Sequence, residues 1–176
     1  MSVKSTVLKI LTVGDGGVGK TTLLHRYKKN EFLADTQMTL GVGFFVKRIN
    51  IEGRILMLQL WDFGGQEQFR FMLKKYAMGA RGAILMYDLT RFATLENIEE
   101  WVDICRKDNP GLPIILVGTK LDLESEFDSH DYPIEMMNEH DLFDHITTSS
   151  KTGENIQSVF EKIAKKIIQL ENNKKI

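Results

Sequence analysis

Gly14-Asp15-Gly16-Gly17-Val18-Gly19-Lys20-Thr21 lies between an apolar run, Val7–Val13, and a segment with helical spacing that starts at Thr22. This order of strand, glycine loop and helix, with the spacing G-x-x-x-x-G-K-T, predicts a phosphate-binding P-loop. Glycine lets backbone N–H groups approach phosphate oxygens, and the start of the helix adds partial positive charge. We therefore expect every residue from Asp15 to Thr22 to contact a bound nucleotide.

Two side chains of this loop have predicted roles of their own. The ammonium group of Lys20 is expected to reach the β- and γ-phosphates and to stabilise charge on the transferred phosphoryl group. The hydroxyl of Thr21 is expected to bind Mg²⁺. The motif indicates a nucleoside triphosphate, but it specifies neither the base nor the fate of the γ-phosphate.

The composition limits the classes of function. With 176 residues the chain is long enough for a substantial core, and we take residues 1–176 as a single domain. A formal net charge of −1 favours neither nucleic acid nor an anionic membrane as a partner. The single cysteine, Cys105, cannot form an internal disulfide, which fits the reducing cytoplasm, and its expected role is packing.

We find no sequence signal for membrane attachment. No apolar stretch approaches the length of a membrane span, and residues 1–4 lack the apolar region of a signal peptide. The second residue is Ser2 rather than the glycine that myristoylation requires, and residues 172–176 contain no cysteine to prenylate. A trimmed C-terminus, action in solution and delivery to membranes by a partner all stay open. We expect a cytoplasmic monomer.

Strand-like and helical runs alternate along the chain. Apolar runs predict strands at Val7–Val13, Gly41–Asn50, Arg54–Trp61, Ala83–Asp88, Ile114–Val117 and His145–Thr148. Residues 51–53 join the second and third strands as a hairpin. Helices are predicted over Lys20–Lys29, Thr94–Lys107 and Asn155–Leu170, and a surface loop over Glu124–Pro133. Strands that alternate with helices pair in parallel, so we predict an α/β P-loop fold. Its mixed, mostly parallel six-stranded sheet has one antiparallel edge strand and helices on both faces.

The third predicted strand closes with Trp61-Asp62-Phe63-Gly64-Gly65-Gln66. Ligands of such sheets bind beyond the carboxyl ends of the strands, where the P-loop also lies. An aspartate at this position, Asp62, can hold Mg²⁺ through water. The backbone N–H of Gly65 can approach a γ-phosphate, and Gln66 can orient the attacking water because its amide both donates and accepts.

The candidate base-reading segment is Thr119-Lys120-Leu121-Asp122, after the fifth predicted strand. A carboxylate such as that of Asp122 accepts from N1–H and the 2-amino group of guanine, whereas adenine would leave it unpaired. The aliphatic stem of Lys120 can cover one face of the base. Backbone N–H groups of Ser149, Ser150 and Lys151, after the last strand, are candidates to meet guanine O6. The alternative is that Ser149 or Thr152 caps the final helix.

Taken in order, these segments resemble the Ras superfamily of small GTPases from about Thr6 to Leu170. The P-loop resembles the family's first guanine-nucleotide box, WDFGGQ its WDTAGQ, TKLD its NKxD and SSK its SAK. The resemblance implies binding of Mg²⁺ with GTP or GDP, slow GTP hydrolysis, and a loop switch read by effectors and set by exchange factors and activating proteins. It also implies that Phe32 packs against the base and that Thr39 binds Mg²⁺. Core packing is the alternative for Phe32.

Two features point to different branches of the superfamily. Residues 39–44, TLGVGF, are similar to the TIGVDF of the Rab branch. Phe44, Trp61 and Tyr76 fall at the spacing of the aromatic surface by which Rab proteins meet effectors, and core packing is their alternative. TKLD, with Thr for Asn, is more similar to the Rho branch. The family's Asn ties the base loop to the P-loop, and the Thr119 hydroxyl can replace that tie in part.

Departures from the family pattern motivate rival functions. Phe63 and Gly64 replace the family's Thr and Ala, and two adjacent glycines widen the backbone range, so we expect a loosely held second switch. This motivates a GTP-dependent binding module with vestigial hydrolysis. A P-loop kinase would need an arginine-rich lid, and we see no such cluster. Residues 36–38 contain no arginine, so we expect slow intrinsic turnover that a partner accelerates.

Overall fold

The computed structural model describes residues 6–35, 37–123, 125 and 131–174, with the backbone alone at position 69. The strands are β1 (Thr6–Val13), β2 (Val42–Ile51), β3 (Arg54–Phe63), β4 (Gly82–Asp88), β5 (Ile114–Thr119) and β6 (Asp144–Thr147). The helices are α1 (Lys20–Lys29), α2 (Glu67–Tyr76), α3 (Ala93–Glu96), α4 (Ile98–Arg106), α5 (Asp131–Glu139) and α6 (Ile156–Asn173).

All six strands form one sheet in the order β2-β3-β1-β4-β5-β6. β1 is parallel to both β3 and β4, and β4, β5 and β6 continue the parallel pairing. β2 pairs antiparallel with β3 at one edge. Glu52 and Gly53, the two residues of the hairpin turn, both have positive φ, as a tight turn between twisted strands requires. The predicted fold class is confirmed, and parallel pairing gathers the carboxyl ends of β1, β3, β4 and β5 at one edge.

Helices cover both faces of the sheet. α1 and α6 pack on one face, where the rings of Tyr27 and Phe160 stack with centroids 3.6 Å apart. On the other face Leu73, Leu95 and Trp101 pack against β1, β4 and β5. Cys105 lies in this second core and is 3% exposed, so its predicted packing role is confirmed. The seven residues of β4 are all buried, as expected for a central strand covered on both sides.

The sequence prediction misses two helices, α2 and α5, and merges two others, α3 and α4. α2 has apolar residues at helical spacing, Phe69, Met72, Leu73 and Tyr76, a signal that the sequence prediction did not use. The predicted loop Glu124–Pro133 is wrong at its end, because α5 starts at Asp131; Pro133 fits there because the first helical turn needs no N–H donor. The rest of that loop, apart from Ser125, lies outside the described residues. The helix predicted over Thr94–Lys107 is divided into α3 and α4 at Asn97.

Candidate nucleotide-binding site

The P-loop forms the floor of a groove with two parts, at the carboxyl ends of the strands. The first part, about 300 Å³, is lined by residues including Gly16, Lys20, Thr21, Thr39, Gly65 and Gln66. The second part, about 270 Å³, is lined by residues including Val18, Phe32, Thr119, Lys120, Asp122, Ser150 and Lys151. Gly17, Gly19 and Thr22 line both parts. The fold therefore brings the predicted phosphate residues and the predicted base residues to either side of one loop.

The path of the P-loop requires glycine at its first position. Gly14 has a φ of 136°, and a Cβ there would lie 2.2 Å from the carbonyl oxygen of Met86 in β4. Gly17 and Gly19 also have positive φ, with values of 74° and 95°. L side chains rarely adopt this backbone conformation. Close packing against β4 and a left-handed backbone together explain the glycine pattern of the motif.

Lys20 is buried under the loop that precedes it. Its Nζ donates to the carbonyl oxygens of Gly14 and Asp15, each at 2.7 Å, and the residue is only 6% exposed. Burial lowers the pKa of Lys20 to about 8, against the opposing attraction of the carboxylates of Asp62 and Asp15. A cation with so little contact with water is stabilised by an anion beside it. The phosphates of a nucleotide fit this requirement.

Three oxygen-bearing side chains converge next to Lys20. The Thr21 hydroxyl lies 2.6 Å from the Thr39 hydroxyl and donates to Asp62 Oδ2 at 2.5 Å. Asp62 Oδ1 is buried and has no hydrogen-bond partner within the described part of the chain. Burial raises the pKa of Asp62, while the Thr21 hydrogen bond and the charge of Lys20 oppose the rise. The two hydroxyls and the Asp62 carboxylate are hard oxygen donors, which is the kind of ligand that suits Mg²⁺.

The segment after β3 packs directly on the P-loop. A Cβ on Gly65 would lie 2.4 Å from both the Asp15 carbonyl carbon and the Gly16 nitrogen, so only glycine fits here. Phe63 is 1% exposed, and the Gly64 N–H donates to Gly41 at 3.0 Å. The close contact with the P-loop backbone therefore requires glycine at position 65. The backbone conformation does not, because the φ of Gly65 is not in the left-handed region.

Gln66 follows this contact and lies at the N-cap position of α2. Its Nε2 contacts the sulfur of Met38, and its Oε1 accepts from Gln68 Nε2 at 2.7 Å. Both of these partners are exposed surface side chains, so the amide can exchange them for a water and a phosphate oxygen.

The second part of the groove is held together by hydroxyl groups. The Ser149 hydroxyl donates to Asp122 Oδ1 at 2.6 Å and orients that carboxylate. The Thr119 hydroxyl donates to the Val18 carbonyl at 2.7 Å, which is the tie between base loop and P-loop expected of it. Phe32 is 41% exposed, so core packing is the wrong interpretation of that residue.

Ser149 and Thr152 do not cap the last helix. α6 starts at Ile156, and the side chain of its N-cap residue, Asn155, makes no capping hydrogen bond within the described part of the chain. Ser149 Oγ instead accepts from the backbone N–H of Thr152 at 3.1 Å, and Thr152 Oγ1 accepts from that of Glu154 at 3.2 Å. The capping interpretation is wrong because the hydroxyls stabilise the turn before the helix.

Comparison with known proteins identifies the family of this chain. A model of the Ras family matches residues 9–169. The chain belongs to the Ras family. It is 34% identical over 177 residues to Ras-related protein YPTC6 of Chlamydomonas reinhardtii, covering 96% of this chain and 82% of that protein. It is 32% identical to Ras-related protein RABA1b of Arabidopsis thaliana, covering 97% and 79%, and 35% identical to Ras-related protein Rab-4B of Homo sapiens, covering 92% and 76%.

These relatives make the chain a Rab-like member of the Ras superfamily. It is a small GTPase that hydrolyses GTP and acts as a nucleotide-dependent switch in trafficking or signalling. GTP and GDP are its nucleotides, and binding of regulators or effectors is a general property of the family.

The Rab-like aromatic residues form a surface cluster in this GTPase. The rings of Phe44 and Trp61 lie 5.0 Å apart and those of Trp61 and Tyr76 lie 5.4 Å apart. Phe44 is 52% exposed and Tyr76 is 38% exposed, whereas Trp61 is partly buried beneath them. Core packing is therefore the wrong interpretation of Phe44 and Tyr76.

Sequence reasoning missed the residues that support the P-loop of this GTPase from outside. Asp88, fully buried at the end of β4, pairs with Lys120 at 2.6 Å and Arg91 at 2.9 Å. Arg91 also donates to the carbonyl oxygen of Gly16 at 3.0 Å. An acidic residue at the carboxyl end of a buried strand was a usable signal for Asp88. Nothing local indicated the partner of Arg91.

Proposed function

We propose that residues 1–176 form one GTPase domain in which Lys20, Thr21, Thr39 and Gln66 act together on Mg²⁺-GTP. The observation that carries this proposal is that these four side chains line one groove, beside a Gly65 packed on the P-loop. The single six-stranded sheet and the family match over residues 9–169 support one domain.

The hydroxyls of Thr21 and Thr39 would hold Mg²⁺, and Asp62 would hold it through water. When bound, the ion neutralises charge on the β- and γ-phosphate oxygens. The support is the oxygen cluster described above, including the buried Asp62 Oδ1 without a hydrogen-bond partner in the described part of the chain. The two threonines come from α1 and from the segment before β2, so the site joins the P-loop to the segment that carries Thr39.

In the hydrolysis step Gln66 orients a water molecule for in-line attack on the γ-phosphate. Its carbonyl oxygen accepts from the water while its amide donates to a phosphate oxygen. Lys20 and the N–H groups of Gly16 to Thr21 stabilise the charge that develops on the phosphoryl group. Among the described residues, no arginine lines either part of the groove, and Arg91 donates to a P-loop carbonyl instead. We therefore expect slow turnover without an activating protein.

The second part of the groove would bind guanine. Asp122 accepts from N1–H and the 2-amino group, and the Ser149 hydroxyl holds the carboxylate for this task. Lys120 and Phe32 would cover the base, since both line this part of the groove. Backbone N–H groups of Ser149, Ser150 and Lys151 would meet guanine O6.

Effectors, exchange factors and activating proteins would bind through the switch segments, which carry Thr39 and Gln66, and through the cluster of Phe44, Trp61 and Tyr76. The exposed rings of Phe44 and Tyr76 support this surface. We also propose a cytoplasmic location, on the lone buried Cys105, and no nucleic-acid partner, on the near-zero net charge. A monomer is part of the same proposal. In the described part of the chain, no helix has the length and apolar character needed to cross a bilayer.

Single-turnover GTP hydrolysis by Gln66→Leu tests this function. We expect a rate lower by about 10²-fold with GTP affinity within about threefold, the pattern of an interaction made mainly in the transition state. Gln157→Leu on the exposed face of α6 is the matched control and should keep the wild-type rate. An unchanged rate in Gln66→Leu would favour the alternative of a GTP-dependent binding module with vestigial hydrolysis.

A further inference from the structure

The side chain of Asp15 connects the P-loop to α4. Its Oδ2 accepts from Asn97 Nδ2 at 2.7 Å, and its Oδ1 accepts from the indole Nε1 of Trp101 at 2.8 Å. The guanidinium of Arg70, from α2, lies 3.7 Å from Oδ1. A P-loop carboxylate is therefore shared by two helices that are distant from it in sequence.

Arg70 is constrained on several sides. Its guanidinium lies over the ring of Trp101, 4.8 Å from the centroid, and pairs with the carboxylate of Glu100. The Arg70 side chain is 18% exposed and that of Asp15 is 16% exposed, so solvent screens their attraction only in part. A planar guanidinium that is both paired and stacked loses little further freedom, and it fixes the orientation of the helix that carries it.

The start of α2 is thus attached to Asp15 at two points. The backbone of Gly65 packs on the Asp15 backbone, and the Arg70 side chain reaches the Asp15 carboxylate. Gln66 lies between these two attachments. Two fixed points on either side of a residue restrict where its backbone can lie, which leaves only its side-chain torsions to be set by substrate.

We propose that Arg70 is a positioning residue for GTP hydrolysis, which holds the first turn of α2 on the P-loop and thereby aims Gln66 at the γ-phosphate. This inference rests on the proposed role of Gln66. Arg70 does not line the groove, so it acts through the helix rather than on the substrate.

The test is a single-turnover hydrolysis assay on the full chain. Arg70→Ala should lower the rate by about tenfold while GTP affinity stays within about threefold, because mispositioning affects the transition state more than binding. Lys74→Ala is the matched control: it removes the same charge from an exposed position one turn later on α2 and should keep the wild-type rate.

Two further variants separate positioning from stability. Arg70→Lys keeps the charge but loses the planar fork, so its rate should lie between those of Arg70→Ala and wild type. The double variant Asp15→Asn with Arg70→Ala should be no slower than the slower single variant, because both changes break one connection. Thermal midpoints of all variants show whether each protein is folded at the assay temperature.

Equal rates for Arg70→Ala and Lys74→Ala would overturn the proposal. A loss of GTP affinity as large as the loss of rate would overturn it too, since that pattern indicates structural support of the site alone. Gln66→Leu, assayed in parallel, distinguishes failure of the proposed role of Gln66 from failure of the positioning role of Arg70. If Gln66→Leu has no effect, the proposed function fails at Gln66. If Gln66→Leu slows hydrolysis and Arg70→Ala does not, the positioning role alone fails.

Discussion

Asp122→Asn should change the base that this GTPase prefers. The Ser149 hydroxyl donates to Asp122 Oδ1 at 2.6 Å, so an asparagine would keep its carbonyl oxygen there. The new NH₂ group then takes the place of Oδ2. One of the two guanine donors would meet another donor, whereas the carbonyl at position 2 of xanthine would meet a partner.

The magnitude follows from the guanine hydrogen bond that this change removes. Removing one hydrogen bond to a charged acceptor costs about 1.5–3 kcal/mol, and leaving a buried donor unmatched costs about 1–3 kcal/mol more. The sum, about 2.5–6 kcal/mol, corresponds to a GTP affinity lower by roughly two to four orders of magnitude. XTP affinity should rise in the same variant by at least about tenfold.

The assay is a competition titration in which GTP, XTP and ATP displace a fluorescent guanine nucleotide from each protein. Asp103→Asn, an exposed aspartate on α4, is the matched control and should keep the wild-type preference. If Asp122→Asn still prefers GTP over XTP, or if the wild-type protein binds ATP as tightly as GTP, then Asp122 does not read the base.

Three other substitutions and one labelling experiment have defined outcomes. Thr21→Ala should weaken GTP binding by more than about tenfold with Mg²⁺ present and little without it, whereas equal affinities in both titrations would contradict the metal assignment. Gly65→Ala adds a Cβ 2.4 Å from the P-loop backbone, so single-turnover hydrolysis should slow; a wild-type rate would show that this close contact is not needed. Thr119→Val should lower the free energy of unfolding in urea by about 1–2 kcal/mol and speed GDP release, because the buried carbonyl of Val18 loses its hydroxyl donor. The thiol of Cys105, with a pKa raised by burial to about 12, should resist iodoacetamide at pH 8 until urea unfolds the chain, and rapid labelling of the folded protein would contradict its burial.

Short-range patterns made much of this protein predictable from its sequence. The P-loop depends on residues within a few positions of one another, and the spacing of Gly14, Gly19 and Lys20 alone indicates where phosphates bind. Buried parallel strands such as β4 and β5 appear as short apolar runs, so the class of sheet follows from their alternation with helices. The carboxyl-end rule then gathers the separate motifs at one edge before any coordinates are known.

Only the tertiary structure decided which distant side chains support that site. Trp101 and Asn97 reach Asp15 across 86 and 82 positions of sequence, and Arg91 reaches Gly16 across 75. No periodicity or motif couples such residues, because their contact depends on how helices pack over the sheet. The sequence thus determined what chemistry the groove can perform, and packing determined how its groups are held, because local patterns record backbone geometry whereas long-range contacts exist only in the assembled fold.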